Sequence, residues 1–184
     1  ADEGEWARTP FTSGVDGATR SQDELEEEEM AILGEQARFR AVRSLGRTAL
    51  PVCLALVTQW SGMHGECKDW RAKRAAIAVL QAAAAGCPKG LKQQLKASVQ
   101  MMVAAAAEPQ QRVRFAAIEC LGTFSETYSG VFQKMYNRSV VPALIGVMDD
   151  SCKRVQAHAA AAVINFCEHC ERKTRAPYLN DPLG

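Results

Sequence analysis

An all-α stack of helix pairs is the fold this sequence predicts, and three observations predict it. Alanine runs at Ala82–Ala85, Ala104–Ala107 and Ala159–Ala162 sit among larger apolar residues. Alanine is the best helix former and the smallest apolar side chain after glycine, so such runs point to helices packed at short range. No segment sustains the alternation of a strand. Third, DWRAKRAAIAVLQAAAAGC (Asp69–Cys87), QRVRFAAIECLGTFSETYS (Gln111–Ser129) and KRVQAHAAAAVINFCEHC (Lys153–Cys170) share one template.

The template opens on a small apolar residue, Ala72, Val113 or Val155. A small pair follows at Ala75–Ala76, Ala116–Ala117 and His158–Ala159, then a branched residue at Leu80, Leu121 and Val163. The offset is 41 and then 42 residues. Internal periods of this size mark helical solenoids, and roughly 40–47 is the range of HEAT repeats. The fold class is therefore an α-α superhelix of about three and a half helix pairs, each burying its apolar face on the next.

The elements follow in order. Residues 1–29 hold no periodic apolar pattern and read as an acidic loop or linker, with Trp6 closing an earlier repeat. Residues 30–178 are the repeats: 30–47 the second (B) helix of a split repeat, then 48–87, 88–129 and 130–170. First (A) helices fall at Thr48–Trp60, Leu91–Ala107 and Phe132–Met148. Short polar turns at Glu66–Asp69, Glu108–Gln110 and Asp149–Ser151 join A to B, as antiparallel hairpins require. Residues 171–184 begin a further, truncated repeat. The expected core seams are Val113, Ala117, Leu121 and Phe124, then Ala159, Val163 and Phe166.

Charge divides the chain. Residues 1–36 carry eleven acids and two bases, the remainder ten acids and twenty bases, so a head of −9 precedes a body of +10. Asp23, Glu24, Glu26, Glu27, Glu28 and Glu29 concentrate that acidity: either a solvated loop or an acidic surface for a basic partner, through direct attraction. Arg40, Arg43 and Arg47 form a basic stripe on the next helix, solvated or screened by the acidic run. No aromatic–basic interleaving points to nucleic acid. The longest uncharged run, Thr48–Gly65, contains Pro51 and too few strongly apolar residues to span a bilayer, so the chain reads as soluble.

Catalytic chemistry finds little support. Seven scattered cysteines and no leader pattern point to a reducing compartment. On a helix Cys167 and Cys170 share a face, but a zinc site needs four convergent ligands, and this helix offers two. Structural cysteines are the reading favoured over redox or metal chemistry. His158 stands where other repeats have Ala75 and Ala116, which fits a packed histidine better than a ligand. No phosphate loop, nucleophile elbow or HExxH is present, and no cofactor is implied. The B helices also carry a polar stripe: Glu119, Thr123 and Glu126, with Asn165 and Glu168 at equivalent positions one repeat on. An amide that donates and accepts suits an extended peptide backbone. An ordinary exposed asparagine is the alternative.

DWRAKRAAIAVL, QQRVRFAAIECLG and RVQAHAAAAVINFCE resemble HEAT repeats of the importin-β (karyopherin-β) superfamily, closest to the karyopherin-beta-three or importin-five branch. The resemblance runs from about Gly34 to Tyr178 and extends to the order of parts: an acidic segment, a helix with GEQARFR, a Leu-Pro-Val helix, then DW-R-x-x-R. It implies a middle piece of a superhelix of about twenty repeats. It further implies a non-catalytic nuclear transport receptor, shuttling between cytoplasm and nucleus. Its partners would be protein cargo with basic targeting segments, the Ran GTPase and Phe-Gly nucleoporins. By position Asp23–Glu29 corresponds to the acidic loop of such receptors, which engages Ran or basic cargo. The B helices would line a concave cargo face, placing Glu119, Thr123, Glu126, Asn165 and Glu168 on it. A different HEAT scaffold, such as a phosphatase regulatory subunit, is the alternative reading, and a thiol or metal enzyme a third.

Overall fold

A computed structural model of the chain describes Trp6, residues 22–60 and residues 69–171. The expected end of a preceding repeat, apart from Trp6, lies outside the described residues, as do most of the first A–B turn and the truncated repeat from residue 172. The helices are α1 (Gln22–Leu45), α2 (Leu50–Trp60), α3 (Trp70–Gly86), a single turn α4 (Pro88–Leu91), α5 (Leu95–Ala105), α6 (Gln111–Thr127), α7 (Val131–Val147) and α8 (Lys153–Glu168). Among the described residues there is no strand.

The expected A helix Leu91–Ala107 is instead α4, a 3-10 turn at Lys92–Gln94 and α5, and the start of the first helix also differs from the sequence reading. Residues 22–29 are not a loop: Asp23, Glu24 and Glu26–Glu29 form the first turns of α1. The reason is local. Glutamate is a good helix former, and carboxylates near a helix N-terminus oppose the positive end of the macrodipole. No proline interrupts the run before Met30, so a helix begun further along extends back through it.

The A helices α2, α5 and α7 and the B helices α3, α6 and α8 form two rows, with α1 adding a fourth member to the B row. The B helices lie against one another along most of their length, whereas the A helices touch more sparsely. Alanine makes this possible: Ala76, Ala83, Ala84, Ala117 and Ala159 are all buried. Where α1 meets the end of α3, even one methyl group is too much. A Cβ on Gly86 would lie 3.0 Å from the Arg43 backbone nitrogen and 2.9 Å from a Val42 methyl carbon.

Two of the B helices, α3 and α6, start on a side-chain cap. The Asp69 carboxylate accepts from the Arg71 N–H at 2.9 Å and caps α3. Gln110 does the same for α6 at a longer 3.5 Å. A second device links repeats. Lys73, one residue past the template start, pairs with Glu108 in the next A–B turn at 2.6 Å. Arg114, its counterpart 41 residues on, forks onto Asp150 with Nε–Oδ2 2.6 Å and Nη2–Oδ1 2.8 Å, and its third nitrogen donates to the carbonyls of Glu108 and Pro109. Burial pushes the Asp150 carboxyl up, but the hydrogen bonds from Arg114 and from the Cys152 N–H outweigh it and hold it below its ordinary value.

The main core runs continuously from α2 to α8. Both expected seams are there, with Val163 half-buried and the others buried. Phe132 bridges repeats, meeting Phe124 and Phe166 edge-on with centroids 6.2 and 6.1 Å apart. Buried Gln133 is satisfied by Ser125 and Gly130. Tyr128 donates to the Pro88 carbonyl at 3.0 Å, and burial pushes its hydroxyl up to about 12, so it remains a donor.

No single helix among the described residues is long and apolar enough to cross a membrane. Leu121 is only 1% exposed, at the centre of the α6 seam. Leu121→Ala is expected to cost ~2–5 kcal/mol, read from chemical denaturation. A change within about 0.5 kcal/mol, the range of ordinary surface substitutions, would mean that the seam carries no load.

Candidate protein-binding surface

The outward face of α3, α6 and α8 carries the side chains that the core does not use, and it divides into two chemical zones. Toward the helix C-termini it is polar. Thr123 accepts from the Gln81 amide at 3.1 Å and donates to the Glu119 carbonyl at 3.2 Å. Asn165 donates to the Glu126 carboxylate at 3.1 Å. Both side-chain contacts, Gln81–Thr123 and Asn165–Glu126, join neighbouring repeats. Equivalent positions are therefore not the ones that meet. Thr123 and Asn165 share a register position, yet each pairs with a residue elsewhere on the neighbouring helix.

Glu126 and Glu168 are exposed, Asn165 is partly exposed, and Glu119 and Thr123 are half-buried. Glu119 lies near Arg74 and favours its charged form. Asp23, Glu24 and Glu26–Glu29 lie on α1, and their side chains are outside the description. Cys167 and Cys170 do not share a helix face, because α8 ends at Glu168. His169 leaves the helical region, and Cys170 turns its thiol into the core. Burial raises the Cys53 and Cys120 thiols, which keeps both protonated.

Toward the helix N-termini the face is basic and aromatic, a feature the sequence reading missed. Arg71, Arg112 and Arg154 each stand one residue before the template start, so they repeat at 41 and 42 residues. Arg71 lies 4.7 Å from the Trp70 ring centroid, and Arg112 5.6 Å from the same ring. Arg154 lies 5.2 Å from Phe115. His158 stacks on Phe115 with centroids 4.4 Å apart, the packed role expected of it. Trp6 inserts between Arg112 and Arg154, at 5.2 and 4.9 Å, and meets Phe115 edge-on at 5.5 Å. The aromatic–basic interleaving denied by the linear sequence is present in space. The signal that could have found it is the arginine period itself, read as a row across repeats.

Partial burial depresses Arg74, and the neighbouring Arg112, Arg38 and Arg154 guanidiniums act in the same direction against Glu119. Charge of one sign is thus concentrated at this end of the face.

No protein-family model matches the chain. Importin subunit beta-3 of Saccharomyces cerevisiae (strain ATCC 204508 / S288c) is 34% identical over 116 residues, which is 62% of this chain and 11% of that protein. The crystal structure of Kap121p bound to RanGTP matches 97% of this chain with a TM-score of 0.78 at 28% identity. Kap121p, a karyopherin, bound to the extreme C-terminus of the protein phosphatase Cdc14p matches 96% with a TM-score of 0.76 at 28% identity. The chain is similar to karyopherin-β proteins in both sequence and fold. It spans 16% of the length of each of those solved chains. It shares with those solenoids the helical architecture that the 41- and 42-residue period predicts, and its B row is the row that bears the two zones.

Burial, and next the charge of Arg154, lower the His158 pKa below its ordinary 6.5. The folded state therefore binds this proton less readily than the unfolded chain. Stability linked to His158 is complete above the unfolded pKa and is lost as the pH falls through the depressed folded value. Thermal melting between pH 7.5 and 5 should show His158→Gln with a shallower fall in Tm than the parent. Identical slopes would remove His158 as a source of that dependence.

Proposed function

We propose that this chain is a cargo-binding stretch of a nuclear transport receptor, acting by binding and not by catalysis. Its polar B-row zone would take an extended, basic peptide segment of a protein cargo. The observation that carries the proposal is the pair of inter-repeat contacts, Gln81–Thr123 and Glu126–Asn165, which set amide and carboxylate groups in a row across successive B helices. The close approach of the B helices relative to the A helices supports placing that row on the inside of the curve. Glu126 and Glu168 would meet Lys or Arg side chains, Asn165 and Thr123 the peptide backbone, and Glu119 would act through Arg74.

The comparisons support the same class of partner. Kap121p has been crystallised with the SUMO protease Ulp1p, with Nup53p, with Ste12p and with RanGTP. Ran GTPase, Phe-Gly nucleoporins and basic cargo are therefore the partners proposed for this chain, with shuttling between cytoplasm and nucleus. The acidic turns of α1, Asp23, Glu24 and Glu26–Glu29, would add a second attraction for a basic partner.

Each exposed ion pair contributes only ~0.2–1 kcal/mol, so affinity must be summed over rows. Fluorescence anisotropy with a lysine-rich peptide tests this. Combined substitution of Glu119, Glu126, Asn165 and Glu168 by alanine should weaken binding by at least about tenfold, the equivalent of ~1.4 kcal/mol. Asn165→Ala alone should have a modest effect. Equal affinity for the parent and the fourfold variant would move the cargo site elsewhere.

A separate arm addresses α1. Replacing its six acids, Asp23, Glu24 and Glu26–Glu29, by their amides should weaken binding of the same peptide, and the parent affinity should fall with added salt. Salt-independent affinity, unchanged by the six substitutions, would reduce the acidic turns to a structural segment.

A further inference from the structure

Trp6 is far from its neighbours in sequence, 148 residues before Arg154, yet it is seated between two repeats. The seat has several parts. Guanidinium groups of Arg112 and Arg154 lie 5.2 and 4.9 Å from its ring centroid, the geometry of cation–π attraction. Phe115 meets the ring edge-to-face at 85°. Arg154 also donates through Nη1 to the Trp6 backbone carbonyl at 3.3 Å. Side chain and main chain of one residue are both held, and the ring also packs against the edge of the main core. Trp70 flanks Arg112, and His158 backs Phe115, so the strip extends beyond the one ring it holds.

The electrostatics specify what else the strip accepts. Arg112, Arg38 and Arg154 all act on Arg74 in one direction, and Glu119 acts against them there. The guanidiniums of Arg112 and Arg154 on the ring they hold suit a peptide that brings negative charge. The sequence around Trp6 does so: ADEGEW carries Asp2, Glu3 and Glu5 immediately before the tryptophan. Charge and aromatic group match the strip in the same short segment.

We propose that the strip formed by Trp70, Arg112, Phe115, Arg154 and His158 is a binding site for an aromatic residue in an acidic peptide, occupied in this chain by Trp6 and open to a partner's segment of the same chemistry by exchange. The site is distinct from the polar zone and takes peptides of the opposite charge. It does not rest on the transport reading: loss of lysine-rich peptide binding leaves it untouched, and its own failure leaves the polar zone untouched.

The test uses a fluorescein-labelled peptide ADEGEWAR, copied from residues 1–8, and its tryptophan-free control ADEGEAAR. The labelled peptide should bind the Trp6→Ala chain at least about tenfold more tightly than the parent. That binding should be lost with the control peptide and in a chain also carrying Arg112→Gln and Arg154→Gln. Equal affinity for parent and Trp6→Ala, or affinity that survives the two arginine changes, overturns the proposal. So does an oligo(dT) strand that binds the strip more tightly than the peptide, since stacked arginines and aromatics also suit single-stranded nucleic acid.

A second measurement covers the case in which Trp6→Ala does not fold. In the parent chain labelled with 5-fluorotryptophan, the Trp6 signal, identified by its loss in Trp6→Phe, should move to its free-peptide position when unlabelled ADEGEWAR is added in excess. A signal that does not move at saturating peptide makes Trp6 a fixed structural residue and ends the proposal.

Discussion

The structure depends on the short distance between neighbouring B helices. A solenoid has no central core; each repeat is stable because it covers the apolar face of the one before. Here that covering is done at alanine-lined contacts, where Ala76, Ala83, Ala117 and Ala159 let backbones approach. Small side chains bury little area each, so the larger share of the hydrophobic free energy comes from flanking residues such as Leu80, Leu121, Phe124, Phe132 and Phe166, at ~1.5–3 kcal/mol for each fully buried side chain. The Lys73–Glu108 and Arg114–Asp150 pairs add directional ties from α3 and α6 to the turn of the following hairpin. The Arg114 fork is the stronger of the two, being bidentate and less exposed.

Close B helices have a consequence for chemistry. Side chains on their shared outward face stand in rows, one residue per repeat, with neighbours near enough to touch. A row of like residues becomes a continuous strip, and its character depends on the position along the helix. One position before the template start the strip is arginine, three times over. Further along, in the C-terminal halves of the helices, it is amide, hydroxyl and carboxylate. One face therefore carries two chemically different zones, separated by a few helical turns.

The acidic head acquires a different meaning in this setting. A flexible acidic loop attracts any basic partner at close range. Residues 22–29 instead form the first turns of α1, and α1 packs on α3.

The period, the all-helical class, the A–B order and the buried seams were legible in the sequence because each depends on local propensity and apolar spacing. Val113, Ala117, Leu121 and Phe124 announce their burial by recurrence at helical intervals, and the 41- and 42-residue offset announces the stacking. The resemblance of RVQAHAAAAVINFCE to karyopherin repeats was equally a property of the string. The acidic run was misread because its composition fits a solvated loop and a charged helix end equally well; only its continuity with α1 separates them. The C-terminal turn at His169 likewise shows no glycine or proline, so the exit of Cys170 from the helix had no signal. What tertiary structure alone decided is the partnership of residues on different repeats. Which residue Asn165 meets depends on how the two helices lie across each other, a quantity that no one-dimensional register contains. Trp6 is the extreme case: its neighbours lie more than a hundred residues away, and only folding brings its ring onto the arginine row.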